Sequence, residues 1–145
     1  MRVLTLLGVL TSLSVFAADL KPVQEEAKAA FDKQMKSIVA EVNTACGTSF
    51  VDVTSDFENY DKKNFPQMPP GQTCSSITYA LKTVCKSEPY KKAVMAKVKG
   101  LSCLMKAGSK TPYEFPAGVF TYNMVLEKQP TGIDATNALK TELDK

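Results

Sequence analysis

Apolar side chains recur at Val23, Ala27, Phe31, Met35, Ile38, Val42 and Cys46, steps of three and four that put them on one helical face. This predicts a long amphipathic helix over Leu20 to Cys46. Pro22 suits its first turn, Glu25 and Glu26 favour its positive end, and Gly47 is a stop signal. A second face, Cys74, Ile77, Leu81, Val84 and Cys85, predicts a central helix over 73–87 capped by Thr73. Val94, Val98 and Leu101, with Tyr90 one turn earlier, predict a third over 88–99, with Ser87 as its cap and Lys91, Lys92, Lys97 and Lys99 outward.

After Gly100 the period changes to two: Leu101, Cys103 and Met105 alternate with Ser102, Leu104 and Lys106. Turn signals at Gly108-Ser109 and Pro116-Ala117-Gly118 set off two further extended pieces, 111–115 and 119–126. Asp134 is placed to cap a last helix with Ala135, Ala138, Leu139 and Leu143 inward. The fold class expected is therefore α+β: three helices, then a small antiparallel three-stranded meander, then a C-terminal helix. Between the first two helices, Phe50 to Val53 favours an edge strand and 56–60 a short helical turn capped by Thr54 or Ser55.

Cysteine placement adds a constraint that periodicity cannot. Cys74 and Cys85 lie on one predicted helix and one face, but about 16 Å apart along it, far beyond disulfide reach. Each must pair with Cys46 or Cys103. Antiparallel packing of the first two helices brings Cys46 to Cys74 and leaves Cys85 for Cys103; parallel packing brings Cys46 to Cys85 and Cys74 to Cys103. Sequence alone does not fix connectivity, and the first arrangement is the one expected here.

Residues 1–17 read as a cleaved signal peptide, with one charge at Arg2, an apolar run from Val3 to Phe16 and a small residue at Ala17. The remainder, 18–145, is one domain's length. Export to the periplasm or outside the cell suits four cysteines read as two disulfides. Loss of Arg2 takes the formal charge from +3 to +2 and leaves lysine as the only strong cation. So small an excess argues against nucleic acid, and no second long apolar run argues for stable membrane insertion after cleavage.

Histidine is absent, which removes Ser-His-Asp and Cys-His catalysis and histidine-ligated metals. No serine is followed three residues later by lysine, and no glycine-rich phosphate loop occurs. No metal or cofactor is expected. What remains is of two kinds. Asp52, Asp56 and Glu58, near Asp61, are candidate acid and base groups of a hydrolase acting on a glycan or cell-wall polymer. The reading preferred for these residues is a solvated, acidic turn that caps a short helix. The loop 61–72 carries Phe65 and Met68 among three prolines and a glycine: either the two tuck back onto the core, the more usual fate of clustered apolar side chains, or, supported by Tyr60, they are binding residues that present a contact surface. The preferred expectation is a small exported binding or interaction protein without catalytic activity, its partner an unidentified protein or small ligand.

Overall fold

The computed structural model describes residues 19–50 and 52–145. The expected leader lies outside them, as does Val51. The elements are α1 (Pro22–Cys46), β1 (Val53–Ser55), α2 (Pro70–Val84), α3 (Glu88–Lys97), β2 (Gly100–Leu104), β3 (Tyr113–Glu114), β4 (Val119–Asn123) and α4 (Gly132–Leu143), with short 3-10 turns at Phe57–Asn59, Lys62–Asn64 and Pro116–Gly118. The class is α+β with two disulfides, but the order of strands differs from the meander expected. The four strands run β1-β2-β4-β3, with β1, β2 and β4 mutually parallel and β3 antiparallel to β4.

The difference has a physical cause. Alternation in β2 suggested a strand wet on one side, yet Ser102 is only 6% exposed and Thr121 and Asn123 of β4 only 3% and 5%. Both strands are interior to the sheet, with a neighbouring strand on each side, and their small polar residues are buried together with the apolar ones. The short segment after α1 is their missing neighbour: β1 pairs with β2, and α2 and α3 form the crossover between them.

By register, Val53, Leu101 and Phe120 share one sheet face with Cys103 and Tyr122. The helices pack on that face, α2 lying between α1 and α4. The core is built from Phe31, Met35 and Val42 of α1, Ile77 and Leu81 of α2, Leu101, Phe120 and Tyr122 of the sheet and Leu139 of α4. Among the described residues no helix is long and apolar enough to cross a membrane.

Three helix starts depart from expectation. In α1 the stripe begins at Gln24, not Val23: Gln24 Oε1 accepts from the Lys21 N–H (2.9 Å) and Nε2 donates to the Glu58 carbonyl (3.0 Å), so Gln24 is buried and Val23 is 45% exposed. α2 begins at Pro70 with Pro69 as its cap, which turns Thr73 inward. α4 is capped by Thr131, whose hydroxyl accepts from the Asp134 N–H while Asp134 Oδ2 accepts from the Thr131 N–H, a reciprocal capping box.

Disulfides join Cys46 to Cys85 and Cys74 to Cys103. This corrects the expected pairing of Cys46 with Cys74 and Cys85 with Cys103. The C-terminal ends of α1 and α2 are together, so the two helices run in the same direction. The chain from Gly47 to Pro69 makes the return journey; the bonds from Gln24 Nε2 to the Glu58 and Tyr60 carbonyls mark its arrival at the start of α1.

Candidate functional site

The three carboxylates proposed as acid and base are placed apart in role. Asp56 Oδ1 accepts from the Met105 N–H just past β2, and Oδ2 accepts from Asn59 Nδ2 (2.8 Å). Its side chain thus fastens the 57–59 turn to the end of the central strand. Glu58 is exposed, and its backbone carbonyl, not its carboxylate, is what Gln24 binds. Asp52 is exposed beside β1 and lines two hollows, neither of which Asp56 or Glu58 reaches. Asp61 closes the 62–64 turn: Oδ1 accepts from the Lys63 N–H (3.0 Å) and Oδ2 pairs with Lys63 Nζ (2.9 Å), which together hold its carboxyl below the ordinary value. Among the described residues no group of three or more His, Cys, Asp or Glu could hold a metal ion.

The other candidates form a connected structure. Phe31 of α1 meets Phe57 edge-on (centroids 5.3 Å), Phe57 leans on Tyr60 (6.1 Å), and Tyr60 stacks on Phe65 (5.6 Å). The first two rings are buried and the last two half-buried, so the series leads from the core to the surface. Burial raises the Tyr60 phenol above its ordinary value, and the charges of Asp61 and Glu26 push the same way. Met68, three residues beyond Phe65, is 42% exposed. The loop therefore does two things at once: Phe65 anchors it, and Met68 is presented.

Phe65 and Met68 line a cleft of about 470 Å³ whose opposite wall is Val125 and Leu126, with Lys63 and Glu127 also on its lining. Tyr60 does not line this cleft; it supports Phe65 from behind. The 125–129 wall was not foreseen from sequence. It is held by Gln129, whose Nε2 donates to the Met124 carbonyl (2.8 Å) and whose Oε1 accepts from the buried Tyr122 hydroxyl (2.7 Å). Its sequence signal is slight: an apolar pair, Val125-Leu126, just beyond a strand and followed by Glu-Lys-Gln-Pro. Compared with known proteins, the chain matches no family model, no curated protein and no solved structure.

Proposed function

We propose that this chain is a small exported binding or interaction protein without catalytic activity, and that it receives an apolar group of its partner in the cleft between residues 63–68 and 125–129. The observation that carries this reading is the contrast inside one loop. Phe65 is immobilised by an aromatic series rooted in the core, whereas Met68, next to it, stays exposed at the lip of a cleft with apolar residues on both walls. An exposed, flexible thioether beside a rigid ring is suited to adapt to an apolar side chain. Glu127 on the lining offers a negative charge for orientation, whereas Lys63 beside it is already paired with Asp61. Two disulfides favour an oxidising compartment, which agrees with a periplasmic or secreted protein. The alternative, a carboxylate hydrolase, has less support, because Asp56 spends both oxygens on Met105 and Asn59.

Methyl-resolved NMR with a panel of apolar fragments (indole, phenol, isobutanol) tests the proposal. Shifts confined to Met68, Val125 and Leu126, and abolished by Met68→Ser with the melting temperature unchanged, are expected. Shifts elsewhere, or unfolding of the Met68→Ser protein, would reject the cleft as the binding surface.

A further inference from the structure

Among the described residues the strand β1 is the edge of the sheet, with β2 as its one neighbour, so alternate backbone N–H and C=O groups on its outer side lack a strand partner there. Hollows lie on both sides of it. The first, about 490 Å³, separates β1 from the outer face of α1 and is lined by Lys28, Lys33, Lys36 and Asp52. The second, about 720 Å³, is walled by Phe50, Met95, Val98 and Val119. The two share Asp52 and Thr54, so they meet along the free edge.

The hollows differ in chemistry. Lys28 is neutralised by Asp32, but Lys33 and Lys36 are exposed and take part in none of the four ion pairs among the described residues. Set against Asp52, they leave the first hollow with an uncompensated positive charge. The second hollow presents Met95, 55% exposed, and the half-buried Phe50 and Val119. Val53 faces the helical layer and Thr54 the opposite side of the sheet. A strand added at this edge would likewise send successive side chains alternately toward α1 and toward the second hollow.

We propose that the free edge of β1 takes up an extended peptide segment of a partner protein, bearing acidic and apolar side chains at alternate positions, by strand addition. The acidic set meets Lys33 and Lys36, and the apolar set meets Phe50 and Met95. Because β1 has only three residues, backbone pairing alone supplies few bonds, and the two hollows provide the specificity. This surface is separate from the cleft at Met68.

The test is a fluorescence-polarisation titration of the full chain with labelled heptapeptides: one alternating Glu and Leu, one with the same residues in two blocks, and two alternating peptides N-methylated on either the Glu or the Leu amides. Saturable binding of the alternating peptide is expected, lost in one of the two methylated forms and weakened about tenfold or more by Lys33→Glu/Lys36→Glu. Those lysines are exposed, so the variant should keep its melting temperature, and Met68→Ser should leave this affinity unchanged. No saturation, equal binding of the block peptide, indifference to both methylation patterns, or indifference to charge reversal would overturn the proposal. Loss of binding in Met68→Ser would assign the peptide to the cleft instead. A concentration-dependent dimer in sedimentation, abolished by Lys33→Glu/Lys36→Glu, would assign the edge to a second copy of the chain; either result overturns it too.

Discussion

Asp56 shows how a residue suited to chemistry can be committed to architecture. Its two oxygens join the Met105 backbone and the Asn59 side chain, parts of the chain brought together only by the fold. Replacing it with alanine deprives the Met105 N–H of its acceptor, and we expect a stability loss of about 1–3 kcal/mol in urea unfolding. No loss would mean that the carboxylate is free for another role. Tyr122 offers a pH-dependent counterpart. It is 1% exposed, its hydroxyl donates to Gln129, and burial, aided by the neighbouring Tyr113, raises its ionisation far above the ordinary tyrosine value. The unfolded chain would release this proton near pH 10. A raised folded value means that the stabilisation is complete below about pH 10 and is lost as pH climbs toward the folded value. In an ultraviolet titration of the five tyrosines, Tyr122 should ionise last and together with unfolding. Tyr122→Phe should flatten the alkaline decline while costing about 1 kcal/mol at neutral pH, since Gln129 loses its donor.

Helices and their inward faces were legible where the pattern was long. Phe31, Met35, Val42 and Cys46 of α1, and Cys74, Ile77, Leu81 and Val84 of α2, are buried as their spacing implies. Element ends were less legible, because a start is decided by a single side-chain bond. Gln24 displaced Val23 from the core by making two such bonds, and Thr131 took the cap position expected of Asp134 by sharing the box with it. Pro116-Ala117-Gly118 marks the β3–β4 connection as a turn, but residue types alone do not show its strain. Ala117 has φ 52° and Gly118 φ 86°, two consecutive left-handed residues, and a Cβ on Gly118 would lie 2.7 Å from the Lys97 carbonyl oxygen. Alanine at 117 tolerates this conformation at an energetic penalty that glycine avoids. Ala117→Gly should therefore be neutral or stabilising by up to about 1 kcal/mol, whereas Gly118→Ala should destabilise by about 1–3 kcal/mol. Thermal melts of the two variants that move in the same direction would contradict this account of the turn.

At the level of the whole molecule, the direction of α2 relative to α1 was undecidable from spacing, since both disulfide patterns satisfy the same helical face. The deciding feature is β1, three residues long, which with the turns after it carries the chain back to the start of α1. Once the helices are parallel, the bridges take different duties. Cys46–Cys85 ties the ends of α1 and α2, where Cys85 keeps 8% exposure, whereas Cys74–Cys103 ties the helical layer to the middle of the central strand with both residues wholly buried. Their sequence separations, 39 and 29 residues, would make the first bridge worth only about 0.3 kcal/mol more by loop entropy. Removal of the second also opens space between layers, and a helix end can fray where a central strand cannot. We therefore expect Cys74→Ala/Cys103→Ala to lose more stability than Cys46→Ala/Cys85→Ala, against the order of loop length, with each loss about 2–5 kcal/mol. Because the spans 46–85 and 74–103 overlap, the quadruple variant should lose a different amount from the sum of the two pairs. Denaturant midpoints of the three proteins, with a non-reduced peptide map of the parent chain, decide the matter: a larger loss from the Cys46–Cys85 pair would show that these bridges act chiefly on the unfolded chain and not by holding the helices to the sheet.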